Sequence, residues 1–301
     1  MSQCKLHVLG CASQVPTRHR NHNGYFLQWA NEGFLFDPGE GTQRQMILCG
    51  VSVSQITKIF ITHFHGDHCL GLAGIIQRLS LDRVKHKVEI WYPASGQVYF
   101  DRLRHASIFH ETAELVTHPI SEPGVIYSDK RFSIEALPLD HSVETYGYRI
   151  KEHDGRTMEK DKLQHFGISG PAVGQLVQDG SIETESGVVQ LHQVSKHKKG
   201  RSMAFIMDTR LCKNAYELAH GADLLVCEST YLSTEGEDAQ SNGHLTAAQA
   251  ADIARESNAR LLVLTHFSQR YPDNAAFVEE ASAIHSHVVA VKDGDQVTMP
   301  K

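Results

Sequence analysis

The sequence has 301 residues, a hydrophobic content of 41% and a formal net charge of −6 when histidines are counted as neutral. This length and apolar content suit one large α/β domain with a sizeable buried core. The negative charge gives no general sign of nucleic-acid binding, so any such partner has to be attracted by a local field.

Targeting and cysteine patterns exclude several other classes of protein. No run of about eighteen apolar residues is present, and the N-terminal MSQCKLHVLGCASQ has too short an apolar stretch for a secretory signal. The six cysteines are scattered without a CxxC pair, which excludes a zinc ribbon and fits reduced thiols better than a disulfide framework. We therefore expect a cytoplasmic protein that does not contact a membrane.

Alternating strands and helices are predicted along most of the chain. The first part contains strands KLHVLG, GYFLQW and GFLFD, a short helix that ends at Gly50, and a buried strand KIFIT. A helical stripe of apolar residues then runs from Leu70 to Leu79, and Asp67 is placed to cap it. After it we predict, in chain order, strand KVEIWYP, a helix near 95–108, strands near 114–120 and 131–137, strand SMAFIM, a helix at 212–220, strand DLLVCE, a helix at 246–257, strand RLLVLTH, a helix at 274–284 and a final segment HVVAVKDGDQVTM.

Residues 150–201 interrupt this alternation. They are polar, with turn signals such as Gly170 and Pro171 and few large apolar residues, and they end in the basic segment KHKKGR at 196–201. We expect an insertion that lies outside the main core.

The segment ITHFHGDH, residues 61–68, places three histidines and an aspartate within six positions. In an extended segment alternate side chains share a face, so His63 and His65 can reach one ion. Asp67 and His68 lie beyond the strand, in the turn that opens the helix, and can address a neighbouring ion. The alternative is a helix cap with incidental histidines, an interpretation that suits the HSH at 285–287 better.

Four more residues that can bind a metal follow apolar strand patterns: His141, Asp208, Glu228 and His266. Each alone could be a capping residue or a buried polar residue with satisfied hydrogen bonds. Together they indicate a site, because residues just past the carboxyl ends of strands converge on one edge of a sheet.

The ligand types predict a dinuclear metal site. We assign His63, His65 and His141 to one ion, Asp67, His68 and His266 to the other, and Asp208 to a bridging position. Imidazoles and carboxylates without a thiolate suit zinc, with manganese or cobalt as substitutes. Two ions about 3.5–4 Å apart would clamp the attacking and leaving oxygens of an in-line displacement, which indicates a hydrolase with two Zn²⁺ per subunit.

These motifs resemble the ribonuclease Z family, within the metallo-β-lactamase superfamily, over nearly the whole chain. The stretches that carry the resemblance are FDPGEGTQRQM (36–46), ITHFHGDHCLGL (61–72), LDHSVETYGYRI (139–150), GPAVGQLVQDG (170–180), CEST (227–230), NGHLTAAQAADIA (242–254) and THFSQRY (265–271). The resemblance implies a four-layer αββα sandwich, a single domain over residues 1–301 with a protruding tRNA-binding arm inserted at about 150–195. It also implies a homodimer.

The resemblance further implies a zinc-dependent endoribonuclease that removes the 3′ trailer of precursor tRNA, leaving a 3′-hydroxyl on the tRNA and a 5′-phosphate on the trailer. In this family the residue that matches Asp67 is the proton acceptor. A histidine that matches His244, held by a glutamate that matches Glu228, protonates the departing 3′ oxygen. A neighbouring carboxylate raises the pKa of an imidazole, which suits a general acid. Alternatively, His244 is only a residue at the start of the helix before Thr246.

Contacts with RNA are predicted at the arm and near the metal site. The basic segment beside the arm can supply phosphate contacts, and the GPAVG stretch belongs to the arm. The loop TRHRN at 17–21 is a further candidate. The residues that we expect to bind the substrate are Gly170, Pro171, Lys198, Lys199, Arg201 and Arg270.

Two other functions fit part of the sequence. A hydrolase of the same fold that acts on small phosphodiesters or thioesters would share the metal site but would have no use for the arm. A non-catalytic RNA-binding protein could keep the metals for stability. The pairing of Glu228 with His244 argues against this second alternative.

Overall fold

The computed structural model describes residues 4–300. The chain divides into two compact units. Within the described residues, the larger unit contains the segments up to Ser128, Ser133–Ile150 and those from Ser202 onward, and the smaller unit contains Asp129–Phe132 and Lys151–Arg201.

Strands and helices alternate through the chain. The strands are β1 (Lys5–Gly10), β2 (Gly24–Trp29), β3 (Glu32–Phe36), β4 (Lys58–Phe60), β5 (Val88–Pro93), β6 (Leu115–Ile120), β7 (Gly124–Ser128), β8 (Phe132–Pro138), β9 (Tyr146–Glu152), β10 (Gly155–Met158), β11 (Ser181–Thr184), β12 (Gly187–Gln190), β13 (Ser195–Lys198), β14 (Ser202–Ile206), β15 (Leu224–Glu228), β16 (Leu262–Thr265), β17 (Val288–Ala290) and β18 (Gln296–Thr298). The helices are α1 (Thr42–Leu48), α2 (Gly66–Cys69), α3 (Leu72–Leu81), α4 (Gln97–Arg104), α5 (Lys160–His165), α6 (Pro171–Asp179), α7 (Lys213–Ala219), α8 (Gly236–Asn242), α9 (Ala247–Glu256) and α10 (Ala275–Ser282). In the part of the chain that the structure describes, no helix combines the length and the apolar character that a membrane span needs.

Two seven-stranded sheets form the centre of the larger unit. The strand order is β18-β1-β2-β3-β4-β5-β6 in the first sheet and β17-β16-β15-β14-β9-β8-β7 in the second. Strands β3 to β6 are parallel in the first sheet, and strands β14 to β17 are parallel in the second. The loops that follow β14, β15 and β16 therefore begin at the same edge of the second sheet.

The two sheets pack face to face through aromatic side chains. Phe36 of β3 stacks on Phe205 of β14 with ring centroids 4.6 Å apart, and Phe60 of β4 contacts Tyr148 of β9 at 5.1 Å. Aromatic rings bury large apolar areas, so this interface contributes much of the stability of the larger unit.

Helices cover the outer faces of both sheets. Buried residues of α3 and α4, such as Ile76 and Phe100, form one core with strand residues such as Ile59. On the second sheet, α7 contacts β14, α9 contacts β15 and β16, and α10 contacts β17. The predicted four-layer αββα sandwich is confirmed.

The helix predicted after Asp67 is in fact two helices, α2 and α3. Asp67 lies in the first turn of α2, whose N-cap residue is His65, and no side chain caps this helix. The prediction that Asp67 caps the helix is therefore wrong. Its carboxylate faces imidazoles instead, with Oδ2 3.3 Å from Nε2 of His68.

Strand β4 is shorter than the predicted strand KIFIT. The backbone N–H of Thr62 donates to Oδ1 of Asp37 at 2.8 Å, so this part of the chain bonds to a side chain and has left the sheet. As a result, His63 and His65 lie in the loop after the strand and not on a strand face.

The smaller unit contains more regular structure than its polar sequence predicts. Helices α5 and α6 and the antiparallel pairs β10–β13 and β11–β12 lie within residues 155–198. Its core consists of the buried residues Leu163, Ile168, Leu176, Val189 and Val194. In the larger unit, β7 and α8 were also not predicted, because both are short and α8 lacks an apolar stripe. Strand β9 was missed as well, because it runs into the polar segment that begins at residue 150.

Backbone packing between two glycines fixes the junction of α2 and α3. A Cβ atom added to Gly71 would lie 2.0 Å from the backbone oxygen of Gly39, and one added to Gly39 would lie 2.1 Å from the backbone oxygen of Asp67. The N–H of Gly71 also donates to the oxygen of Pro38 at 2.9 Å. Only glycine allows this approach, which holds the 63–68 segment against the loop after β3.

We expect Gly71→Ala to lower the free energy of unfolding by about 1–3 kcal/mol, because the new methyl group meets backbone atoms that cannot rotate away. Urea denaturation of the metal-free protein measures this loss. The matched control is Gly74→Ala in α3, where the nearest atom is the flexible side-chain oxygen of Gln43 at 3.2 Å. Because alanine favours helix, the control should be as stable as the wild type or more stable. Equal stability of the two variants would contradict the packing role of Gly71.

Candidate metal centre

The first group of candidate ligands comprises His63, His65, His141 and Asp208, whose ligand atoms lie within 4.8 Å of one another. Nε2 of His63 lies 2.9 Å from Nδ1 of His65, which in turn is 3.3 Å from Nε2 of His141. Oδ2 of Asp208 is 3.6 Å from Nε2 of His63. Three ring nitrogens and a carboxylate oxygen thus converge on one point.

The second group comprises Asp67, His68 and His266. Oδ2 of Asp67 lies 3.3 Å from Nε2 of His68 and 3.5 Å from Nε2 of His266. The Asp208 carboxylate joins the two groups, since its Oδ2 is 3.3 Å from Nε2 of His68 and its Oδ1 is 3.2 Å from Nε2 of His266. The structure therefore brings all seven sequence-predicted ligands together, with Asp208 between the two groups. The HSH histidines at 285–287 belong to neither group.

The electrostatics of the two groups suit a cation. Burial lowers the pKa of His63 well below its usual value, and the charge of His68 lowers it further, so His63 is in the neutral form that binds metals. Burial alone would raise the pKa of Asp208, but the neighbouring His266 and His68 hold it well below the usual range. Among residues 4–300, the buried atoms Oδ1 of Asp208 and Nε2 of His266 have no hydrogen-bond partner. Buried polar atoms without partners are rare, so these two atoms fit metal ligands.

Three residues around this centre have a strained backbone. Asp37, Asp208 and His266 have φ angles of 44°, 48° and 63°, in the left-handed region that non-glycine residues seldom adopt. Each follows the end of a strand, namely β3, β14 and β16. Such strain persists where the surrounding structure holds it, and it is common at functional sites.

Asp37 is a functional residue that the sequence reasoning did not identify. Its fully buried carboxylate accepts hydrogen bonds from the backbone N–H and the hydroxyl of Thr62, at 2.8 and 2.7 Å, and from Nδ1 of His68 at 2.8 Å. The bond to Nδ1 leaves Nε2 of His68 for the metal group. Asp37 directly follows the apolar strand GFLF, the same signal that identified Asp208 and His266.

Glu228 and His244 form a pair beside the two groups. Nδ1 of His244 donates to Oε1 of Glu228 at 3.1 Å, and the same oxygen accepts the backbone N–H of Thr209 at 2.8 Å. Burial alone would lower the pKa of His244, but the carboxylates of Glu228 and Asp208 raise it to about 9. Thr230, which was not predicted, contacts both members of the pair through its hydroxyl, at 2.6 Å from Oε2 of Glu228 and 3.3 Å from Nδ1 of His244.

A cavity of about 320 Å³ opens onto the candidate ligands. Residues of both groups line it together with His244 and polar residues of the nearby loops, among them Thr230, Tyr231 and Arg270. The cavity therefore gives access both to residues of the two metal groups and to His244, while Glu228 lies buried behind His244.

Of the six predicted substrate-binding residues, Arg270 alone is among those that line this cavity. Its guanidinium donates to Asp238 at 2.8 Å and lies 4.8 Å from the centre of the Tyr231 ring. The prediction for the loop TRHRN is wrong for Arg20, which is 7% exposed and donates to the oxygen of Tyr271 at 2.9 Å, so it holds the loop and is not available to a phosphate.

The other five predicted substrate-binding residues belong to the smaller unit. Gly170 and Pro171 are the N-cap and first residue of α6, and Lys198 and Lys199 are exposed at the end of β13. The Arg201 guanidinium donates to the Glu152 carboxylate at 3.0 Å. This ion pair gives Arg201 a structural partner within the unit.

Comparisons with known proteins agree with the fold. The family model described as beta-lactamase superfamily domain matches residues 186–267, and the model described as anti-Pycsar protein Apyc1 matches residues 4–142. The metallo-beta-lactamase fold protein YhfI from Bacillus subtilis covers 99% of this chain and 100% of its own, with 18% identity and a TM-score of 0.70. The chain thus has the metallo-β-lactamase fold, and its candidate site is a cluster of histidines and aspartates.

Relatives narrow this class to one family. Ribonuclease Z of Nocardia farcinica is 52% identical over 304 residues, covering 100% of this chain and 99% of its own, and ribonuclease Z of Streptomyces coelicolor is 50% identical over 303 residues with the same coverage. The short form of human tRNase Z has 25% identity and a TM-score of 0.71, covering 99% of this chain and 100% of its own. The chain belongs to the ribonuclease Z family.

We expect Asp37→Asn to weaken divalent-metal binding about 10–100-fold, because one of the two accepting oxygens becomes an NH2 group, which cannot accept from Thr62 or from Nδ1 of His68. Competition with a chromophoric chelator measures the affinity. The matched control is Asp223→Asn, the same change at a buried aspartate that accepts from the backbone N–H of Ser202 and from Arg260. Metal affinity that falls equally in both variants would contradict a specific role for Asp37.

Proposed function

We propose that this chain is an endoribonuclease of the ribonuclease Z type, which removes the 3′ trailer of precursor tRNA and leaves a 3′-hydroxyl on the tRNA and a 5′-phosphate on the trailer. The observation that carries the proposal is a pair of ligand groups joined by Asp208 beside the Glu228–His244 pair, with residues of both groups and His244 on the wall of one cavity. Relatives of about half-identical sequence over the full chain, named ribonuclease Z, support it.

The proposed cofactor is a pair of divalent metal ions, with zinc as the first choice. The donors are imidazoles and carboxylates without a thiolate, a set that suits Zn²⁺ and also accepts Mn²⁺ or Co²⁺. His63, His65 and His141 would hold one ion, Asp67, His68 and His266 the other, and Asp208 both. When bound, two such ions polarise a phosphodiester and lower the pKa of a water molecule.

The residues of the chain then have distinct roles. Asp67 matches the residue that is the proton acceptor in this family. Because it is 7% exposed and contacts two imidazoles, we propose that it positions the attacking nucleophile and does not act as a free base. His244 lines the cavity and is the proposed general acid that protonates the departing 3′ oxygen. Glu228 holds the His244 ring through Nδ1, which leaves Nε2 for the leaving group. Arg270 on the cavity wall is the proposed contact for a substrate phosphate.

The smaller unit is the proposed tRNA-binding arm of an otherwise single domain. Lys198 and Lys199 are exposed there and can contact phosphates, with Gly170 and Pro171 at the start of α6 as further proposed contacts. Arg201 can contribute positive charge while it remains paired with Glu152. We also propose that the enzyme is a homodimer, which sedimentation would test, and that it works in the cytoplasm on newly made precursor tRNA.

The purified protein, with its metal content measured, should cut a 3′-extended precursor tRNA after the acceptor stem, and His244→Ala should slow the single-turnover rate at saturating substrate by about 10²–10⁴-fold. Mapping of both new ends measures the site and the chemistry of the cut. The matched control, His285→Ala, removes an imidazole outside the two ligand groups and should keep the wild-type rate.

Two results would contradict the proposal at different points. A metal-loaded wild type that leaves the precursor uncut would overturn the assigned reaction. Full activity of His244→Ala would overturn only the assigned general acid, since the metal groups would then suffice for departure of the 3′ oxygen.

The arm can be removed cleanly, because the backbone N–H of Glu152 donates to the oxygen of Arg201 at 2.8 Å and so brings its two ends together. We expect replacement of residues 154–199 by an Asn-Gly turn to raise KM for precursor tRNA at least about tenfold through lost phosphate contacts. Hydrolysis of bis(p-nitrophenyl) phosphate should be unchanged, since this small diester needs only the cavity.

Unchanged cleavage of both substrates by the arm deletion would contradict the proposed role of the smaller unit. It would favour the alternative of a hydrolase for small phosphodiesters, to which the arm is irrelevant.

A further inference from the structure

The hydroxyl of Thr230 lies between the Glu228–His244 pair and a candidate metal ligand. Thr230 is 2% exposed, and its Oγ1 is 2.6 Å from Oε2 of Glu228 and 2.7 Å from Nδ1 of His266. Both distances are those of good hydrogen bonds. The residue is the second after β15, in the loop that starts at the same sheet edge as Asp208 and His266.

The direction of these bonds follows from a count of donors and acceptors. A hydroxyl has one hydrogen to donate and two lone pairs to accept. Both oxygens of Glu228 accept backbone N–H groups, Oε1 from Thr209 at 2.8 Å and Oε2 from Thr230 at 3.3 Å, so this carboxylate is an acceptor. The hydrogen of Thr230 therefore points to Oε2 of Glu228, and Oγ1 is left to accept from His266.

This direction fixes the tautomer of His266. Because Oγ1 of Thr230 accepts, Nδ1 of His266 carries the proton and donates at 2.7 Å. In the neutral ring, the form that binds a metal, Nε2 is then unprotonated, and it is this atom that lies 3.2 Å from Oδ1 of Asp208 and lacks a hydrogen-bond partner among residues 4–300. A ligand histidine needs a bare nitrogen toward the metal and a fixed partner on the other nitrogen.

We propose that Thr230 is a positioning residue whose hydroxyl connects the Glu228 carboxylate to His266 by two hydrogen bonds. Through this relay, one carboxylate orients both the general acid and a metal ligand. The inference rests on the proposed metal site. Oε1 of Glu228 accepts a hydrogen bond from His244 at 3.1 Å. Oε2 accepts from the Thr230 hydroxyl, which in turn accepts from His266. His244 also lies 3.3 Å from the hydroxyl, a longer contact than the 2.7 Å of His266.

The relay differs from the support of His68 on the other sheet. There the Asp37 carboxylate accepts directly from Nδ1 of His68 at 2.8 Å. His266 instead reaches the Glu228 carboxylate through the Thr230 hydroxyl, and His244, the proposed general acid, bonds to the same carboxylate. Loss of the hydroxyl should therefore affect His266 first and leave the bond between Glu228 and His244 in place.

The test uses Thr230→Val, which keeps the shape of the side chain and removes the hydroxyl, and Thr230→Ser, which keeps the hydroxyl. Zinc titration of the metal-free full chain against a chromophoric chelator should show that Thr230→Val lowers the affinity for one of the two zinc equivalents about 10–100-fold. Thr230→Ser should keep the wild-type affinity for both. In histidine-labelled metal-free protein, nitrogen NMR should show the proton of His266 on Nδ1 in the wild type and in Thr230→Ser. This preference should be lost in Thr230→Val.

The matched control is Ser229→Ala, which removes the neighbouring buried hydroxyl that donates to the oxygen of Thr265 at 3.1 Å. It should keep both zinc affinities and the His266 tautomer. Unchanged zinc affinity and tautomer in Thr230→Val would overturn the relay, as would a folded Thr230→Ser that binds zinc as weakly as the valine variant. These readouts contain no RNA, so a failure of the relay is distinct from a wild type that does not cut precursor tRNA.

Discussion

The structure depends on keeping the carboxylate of Asp208 inside the protein. A buried anion is costly unless cationic or hydrogen-bonding partners surround it. Here the partners are imidazoles supplied by chain segments far apart in sequence, among them His63, His141 and His266. The loops after β4, β8, β14 and β16 must therefore meet at one place, and the sandwich of two sheets is the arrangement that brings them there.

Residues with a strained backbone lie around this centre on both sheets. Asp37 on the first sheet, and Asp208 and His266 on the second, all have positive φ angles within two residues of a strand end. A turn of this kind redirects the chain within one residue, so the side chains of Asp208 and His266 reach the cavity and that of Asp37 reaches His68. The unfavourable backbone is held by the packed sheets on either side, which is why the fold and the site cannot be considered separately.

The sequence was sufficient for the order of most elements and the convergence of seven candidate ligands, because strand-end polar residues and alternation are local signals. The four layers were implied by the family resemblance alone. It was insufficient where a side chain overrides the backbone pattern. The backbone N–H of Thr62 bonds to the carboxylate of Asp37 and not to a neighbouring strand, and the Asp67 carboxylate contacts His68 and does not cap the helix. The periodicity of the sequence does not reveal either contact. The regular structure of the smaller unit was missed because five buried apolar residues form its core, too few for a clear pattern.

The wide spacing of the candidate ligands also has a consequence for synthesis. The segment with His63 emerges from the ribosome long before β16 and His266. A nascent chain that ends before His266 contains all four candidate donors of the first group but lacks one donor of the second. The second group can therefore form only after β16 has been made and has joined the second sheet.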